Sequence, residues 1–284
     1  MRRGWRRRGL LIVAAVDVVV LALAMAVVVW HGTPWTPPLP GAREPVVAAL
    51  ADFPQEQANS ARWSVMVLSE TSGSSGLLTG STGEVDFTSD RWHGTFQVGE
   101  GAPTEEFFVE GNAQYRRKPG GEWRMSSRRA RELFFSPLPF SIIGRSNNDG
   151  SPLHPPSRED RRRIVDALMV SLANEGWTRV RGELATHVEV TLDGDGLYRA
   201  IQEGRVEPGL RDEAASWTSL VSRRVELEVW VDGKGRQRRL DFLDPPPEPA
   251  GEDVPSLRII QEWWDFDGPG RLAPPADLPA APSS

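Results

Sequence analysis

Catalysis and metal binding need particular side chains at particular spacings, and this sequence offers few of them. Its four histidines, His31, His93, His154 and His187, are scattered, and none stands in a zinc-ligand or metalloprotease spacing. The chain has no cysteine, which removes thiol nucleophiles, disulfides, Cys-ligated zinc and a lipid-modified N-terminal cysteine. The serine-rich run SETSGSSGLLTGSTG contains no G-x-S-x-G elbow and reads as a flexible hairpin region. Asp193-Gly194-Asp195-Gly196 lacks the later spaced acids of a calcium loop and reads as a tight turn between a strand and a helix. Neither a P-loop nor a strand-anchored GxGxxG is present. The expectation is a chain with no catalytic residue, no metal site and no cofactor, and therefore not an enzyme.

Apolar surface is the more informative feature. Beyond the first 45 residues stand Trp63, Trp92, Trp123, Trp177, Trp217, Trp230, Trp263 and Trp264, a large area for a domain of this size. Segments such as WSVMVL, FFV and IIQEWWDF are apolar on both faces, so a sheet built from them must be covered twice or curl around something. One outcome is an ordinary core under helices, and the other is an apolar cavity sized for acyl chains. Alternation near strand centres nominates Trp63, Val65, Val67, Val85, Phe87, Phe107, Val109, Val188, Val190 and Val229 as cavity wall, with Leu168 and Leu172 from a helix above. Basic clusters at Arg116-Arg117-Lys118, Arg128-Arg129-Arg131 and Arg161-Arg162-Arg163 either meet anionic headgroups or form a solvated face.

The elements that must position these residues begin with a membrane segment. Residues 10–30 carry a single charge, Asp17, and thirteen Leu, Ile or Val. As a helix this run covers roughly 30 Å, enough to span a bilayer. Its aliphatic residues favour insertion by roughly 0.3–0.6 kcal/mol each, against about 2.5–3.5 kcal/mol for Asp17, so insertion wins. Arg2, Arg3, Arg6, Arg7 and Arg8 precede the span and no such cluster follows it. A cytoplasmic tail at 1–9 and an extracytoplasmic body follow from the positive-inside rule. Cleavage near Ala24 or Ala26 would instead release a secreted domain. The formal charge of −6 hides a division, because the body after residue 30 alone carries −10; it is a poor polyanion binder, and no nucleic-acid partner is expected.

Residues 31–45, rich in proline, read as a semi-rigid spacer, residues 46–277 as the folded domain, and residues 278–284 as a loose tail. Within the domain, two-residue alternation predicts strands over 63–69, 76–88, 91–98, 105–110, 113–117, 177–182, 186–192 and 257–266. VELEVWV, a DGKG turn and Leu240 with Phe242 predict a hairpin. Ser157 with Asp160, followed by Ile164, Val165, Leu168, Met169 and Leu172 at helical spacing, predicts a capped helix that Gly176 stops. Shorter helices are predicted over 196–203 and 211–222, the latter with Ala214, Trp217 and Val221 on one side. Strands first and helices interleaved with returning strands give an α+β class with helices over one sheet face.

Several motifs carry a resemblance. They are Gly-Glu-x-x-Thr-His at Gly182 to His187 leading to Asp193, VELEVWVDGKGRQRRLDF, DFDGPGRLAPPAD, and FFVEGNAQYRRKPGGEW. In these the chain resembles the LolA/LppX-LprG-like superfamily of exported lipid and lipoprotein carriers, above all its actinobacterial lipoprotein branch. The resemblance implies a strongly curved antiparallel half-barrel, closed on its concave face by a few helices over a hydrophobic cavity. It implies a lipid or acylated molecule as partner, no enzymatic activity, and a place in the cell envelope, where another envelope protein is a further partner. The chain departs from that branch in having no cysteine to lipidate; the N-terminal helix would hold it at the cell membrane instead. Ferrying cargo is then in doubt, while binding, sensing or handing over a lipid stays open, as does an interaction module using the same shape without a lipid.

Overall fold

The computed structural model describes residues 43–71, 74–111, 113–126, 156–217, 224–244, 255–268 and 270–279. The apolar run at 10–30 lies outside them, and among the described residues no helix is long and apolar enough to cross a membrane. The described residues build one open sheet of eleven antiparallel strands with four α-helices and a short 3-10 turn at Pro54–Glu56, which is the expected α+β class.

Six strands come first: β1 Ser60–Thr71, β2 Ser74–Asp86, β3 Arg91–Val98, β4 Glu105–Glu110, β5 Ala113–Arg117 and β6 Arg124–Ser126. Five follow: β7 Met169–Val180, β8 Glu183–Asp193, β9 Arg224–Val231, β10 Gln237–Asp244 and β11 Ser256–Trp264. The order across the sheet is β6-β5-β4-β3-β2-β1-β11-β10-β9-β8-β7. Two meanders therefore meet where β11 pairs with β1, with Trp63 opposite Trp263 and Val67 opposite Ile259.

Alternation decides the faces. On β9, Val225, Leu227, Val229 and Val231 are buried, while Glu226 and Glu228 point the other way, as one apolar face requires. The hairpin to β10 turns on Asp232, whose Oδ1 accepts hydrogen bonds from the backbone N–H of Lys234 and Arg236 at 2.9 and 3.0 Å. Gly235 supplies the positive φ, 77°, that this turn demands.

The helices are α1 Arg43–Ala51, α2 Arg158–Leu168, α3 Gly194–Gln202 and α4 Leu210–Trp217. Helix α1 starts within the stretch expected as spacer, with Pro45 in its first turn, where a missing N–H costs nothing. All four belong to the β7–β10 half, where α1 meets α2, β9 and β10, and α2 meets α3, α4, β7 and β8. Ser157 caps α2 as expected, its hydroxyl accepting from the N–H of Asp160.

The helix expected to run on to Gly176 stops eight residues early. Met169 already has extended φ and ψ of −75° and 100°, and residues from Met169 onward form β7, with Leu172 opposite Val190. Asn174 and Gly176 are weak helix formers, and a ladder along β8 pairs the backbone N–H and C=O groups that face it. Gly176, at φ 105°, sits at a bulge in that ladder.

Candidate functional site

All the nominated wall residues fall on a single face of the sheet, the one that carries the helices. Trp63, Val65 and Val67 lie on β1, Val85 on β2 with Phe87 just past its end, Phe107 and Val109 on β4, Leu172 on β7, Val188 and Val190 on β8, and Val229 on β9. The registers place them in continuous cross-strand rows, such as Val188–Val229–Leu240–Gln261–Val65. Leu168 meets this face from α2.

They are gathered into two apolar clusters rather than one. Leu168, Val188, Val190 and Val229 join Val46, Val47 and Leu50 of α1 and Phe242 of β10 in an aliphatic cluster under the helices. Trp63, Val85, Phe107 and Val109 join Trp92 and Trp263 in an aromatic cluster on the β11–β4 side. Val65 packs against both while only partly buried; Val67 and Leu172 flank the aliphatic cluster and Phe87 the aromatic one, also partly buried. Sequence reading missed Trp92 and Trp263, although their alternation with Gly94 and Gln261 put them on this face. It missed α1 because the neighbouring prolines masked a short apolar run, Val46 to Ala51.

The aromatic cluster depends on two glycines. Gly83 and Gly94 stand side by side in the row Trp63–Gly83–Gly94–Phe107. A Cβ on Gly94 would lie 2.6 Å from the Thr82 carbonyl oxygen and 2.9 Å from the Phe107 ring, and one on Gly83 would lie 2.2 Å from the His93 carbonyl oxygen. The trough they leave is filled by the flanking rings, an arrangement that offsets the weakness of strand glycine.

Where β10 and β11 part, two donors stand buried without an acceptor. Their last register pair is Arg239 with Glu262, and Arg238 lies at an irregularity in the pairing of β10 with β9. Among the described residues, Trp263 Nε1 and Arg238 Nη1 have no hydrogen-bond partner. Trp263 is 1% exposed and the Arg238 side chain 3%. The rest of the Arg238 head is satisfied: Nε reaches Asp232 at 2.9 Å, and Nη2 meets Asp232 and Glu183. Phe266 lies under the guanidinium at 4.6 Å and also packs against the aromatic cluster. Burial opposes ionisation of Asp232, but the N–H groups of Arg236 and Lys234 and the charges of Arg238 and Arg236 hold its carboxyl below the usual range.

The arginines of α2 are structural. Arg161, 3% exposed, donates to the carbonyls of Ala51 and Pro156, each at 2.8 Å, and to Glu56. Arg158 and Arg162 converge on buried Asp52. Burial works against that carboxylate, yet hydrogen bonds from Arg162 and Arg158 keep its pKa lowered. Arg116 and Arg117 pair with Glu105 and Glu106 across β4 and β5. Arg128, Arg129 and Arg131 lie outside the described residues.

The opposite sheet face mixes charged side chains with two small apolar clusters, Phe108–Tyr115–Trp123 and Val180–Ala185–Trp230. His187 stacks on Trp230 with ring centroids 4.3 Å apart, and His93 Nε2 stands 2.7 Å from Glu106; His31 and His154 lie outside the described residues. A groove of about 490 Å³ opens here between Glu70, Glu189, Glu226, Glu228, Asp241 and Arg258. A smaller one, about 220 Å³, lies among Arg43, Asp166, Gly196 and Arg205. Neither is lined by Val65 or the aromatic cluster. Among the described residues no three His, Asp or Glu side chains are placed to hold a metal ion.

No family model matches this chain, and a search of the curated proteins returns no match. Among solved structures, the chain is similar to the lipoprotein LppX of Mycobacterium tuberculosis, with a TM-score of 0.43 at 12% identity, covering 82% of this chain and 98% of that one. LprF from Mycobacterium bovis gives 0.41 at 11% identity, covering 84% and 98%. A LolA superfamily protein from Nitrosomonas europaea gives 0.22 at 12% identity, covering 85% and 94%.

Proposed function

We propose that this chain is a membrane-anchored extracytoplasmic protein that holds a lipid or other acylated ligand against the helix-bearing face of its sheet. The sheet acts as a curved half-barrel, and acyl chains lie along the seam between the two apolar clusters. One observation carries the reading: the apolar face runs on beyond the helices, and at the junction Val65 touches both clusters yet is only partly buried. Burying acyl methylenes there would contribute roughly 0.8 kcal/mol per CH₂. The anchor at residues 10–30 keeps the site at the cell membrane, so the ligand is held or handed over there and not carried away. No step of this role requires catalysis.

Native mass spectrometry of the full-length chain, gently extracted in nonionic detergent, tests the proposal. Bound acyl species, and a rise in unfolding temperature on adding lipid, are expected. A chain that is always bare and gains no stability from lipid would sink it.

A second reading, an envelope interaction module, draws on the opposite face. There Glu189 and Glu228 stand directly opposite one another across β8 and β9, a pair of acids that suits a basic partner segment, while Asp241 beside them is already neutralised by Arg239 and Arg258. Cross-linking in cells separates the two, since lipid photo-probes label the first and a stoichiometric protein partner marks the second.

A further inference from the structure

A second surface is marked by where apolar side chains reach water. Among the described residues the exposed large hydrophobic ones are Leu78, Val98, Met125, Val170, Tyr198 and Leu243, at 36–59%. Single exposed apolar residues are ordinary, but all of these except Met125 gather at one end of the sheet. At that end β1 turns into β2 between Thr71 and Ser74, β10 finishes at Asp244, β11 starts at Ser256, and Asp193 closes β8 opposite Arg224. Leu78 is the extra residue of the β1–β2 bulge, Val98 closes β3, and Leu243 pairs with Arg258 near the end of β10. Val170 lies at the start of β7, and Tyr198 on α3, the helix that begins where β8 stops. Met125, on β6 opposite Tyr115, lies away from them.

The first described residue reaches the same end. Arg43 donates to the carbonyls of Asp166 and Met169 at 2.7 and 3.0 Å, where α2 passes into β7, and shares the smaller groove with Val170 and Arg199. Twelve residues separate it from Trp30, and even as extended polyproline they span only roughly 37 Å. Charges here are neutralised in pairs, Arg43 with Asp166 and Arg258 with Glu70 and Asp241, so anionic headgroups find little to attract them. A rim of aliphatic side chains with one tyrosine instead suits the water–bilayer interface, where apolar bodies with polar tips are favoured. Resting on the anchored reading above, we infer that this end of the sheet docks on the bilayer surface, with Leu78, Val98, Val170, Tyr198 and Leu243 entering the headgroup region. The tether keeps the domain near the membrane, and the rim decides which way it faces.

The test uses the full-length chain, which has no cysteine of its own, reconstituted in phosphatidylcholine vesicles. Leu78→Cys, Val98→Cys and Leu243→Cys report from the rim, and Arg179→Cys, at an exposed position beside the β7–β8 turn, reports from the far end. Each carries a nitrobenzoxadiazole label, and the vesicles hold a spin-labelled phosphatidylcholine with its nitroxide near the headgroups. Rim labels are expected to be quenched about threefold more than the far-end label, as entry about 5–10 Å into the interface requires, and to remain so in about 0.5 M NaCl. All four substitutions replace exposed side chains and three positions read one contact, so misfolding of a single variant does not decide the outcome. Equal quenching at both ends, quenching at Arg179→Cys alone, or rim quenching that vanishes in salt would overturn the docking and leave the anchor standing. Vesicles from which alkaline carbonate washes the chain away would overturn the anchor and the docking together.

Discussion

The ring of Phe107 stands 6.0 Å from that of Trp63 although two whole strands run between them. Three strand spacings would separate their backbones by roughly 14 Å in a flat sheet. The rings close that distance by leaning over Gly83 and Gly94, which present no side chain to lift them.

Filling this trough should be costly. Gly94→Ala is expected to lose about 2–3 kcal/mol, because its Cβ meets the Thr82 carbonyl, which cannot retreat without disturbing the β2–β3 ladder, and the buried Phe107 ring, which is packed against Trp63. Phe107→Ala should lose about 3–5 kcal/mol. Urea unfolding of the double variant should show less than the sum, since removing the ring relieves one of the two collisions.

Val65 should matter more to ligand than to fold. Val65→Asn is expected to cost about 1–2 kcal/mol, as a partly buried residue should, while stripping the chain of bound acyl species. Val206→Asn, at another partly buried position beside the aliphatic cluster but away from the seam, should cost a similar amount and leave the lipid in place. Lipid extraction of both purified variants, alongside thermal melts, checks the contrast.

Asp86 sets an acid limb. Its burial opposes ionisation, but hydrogen bonds from the Thr88 and Ser89 side chains and backbone N–H groups prevail and bring its pKa from 3.8 down to about 2. A carboxyl depressed in the folded state stabilises fully above the unfolded value and loses that contribution as pH falls through the folded one. Stability should therefore drop by about 2 kcal/mol between about pH 4 and pH 2 from this group alone. Asp86→Asn should flatten that part of the profile in pH-dependent denaturant titrations.

The arginines of α2 should differ sharply from one another. Arg161→Ala frees two carbonyls and Glu56 in a buried setting and should cost about 3 kcal/mol. Arg163, 56% exposed and paired with Glu159 within its own helix, should tolerate alanine within about 0.5 kcal/mol. Guanidinium unfolding at matched salt measures both.

The acidic row on the opposite face should be improvable. Glu228 stands directly opposite Glu189, and directly opposed like charges oppose pairing, whereas Asp241 on its other side is neutralised by Arg239 and Arg258. Glu228→Gln is expected to stabilise by about 0.5 kcal/mol at low salt, with the gain shrinking in 0.5 M NaCl. A loss of stability at low salt would refute the repulsion.

Much of this was readable from residue order. VELEVWV alternates so strictly that β9 could only be a half-buried strand, and β3, β4 and β5 begin and end where their turn residues say. The wall residues could be nominated because period-two alternation fixes which side chains share a face. It does not fix how far apart their rows lie, and so Val65 could not be singled out as the junction. Two further failures have local causes. Met169 and Leu172 fit a helical stripe and a strand facing the same core equally well, and only pairing with β8 decided between them. The buried Nε1 of Trp263 and Nη1 of Arg238 lack acceptors for reasons of tertiary placement that no local pattern announces.

The junction of β1 with β11 also governs how the chain can assemble. Each meander is stitched from neighbouring hairpins and can form early, but the seam unites segments nearly two hundred positions apart, and closing so long a loop is slow. A nascent chain halted before Ser256 would own two unjoined sheets, each exposing an apolar margin at β1 and β10. Strand β11 is thus the zip that makes one body of both, and until it arrives the continuous apolar face does not exist.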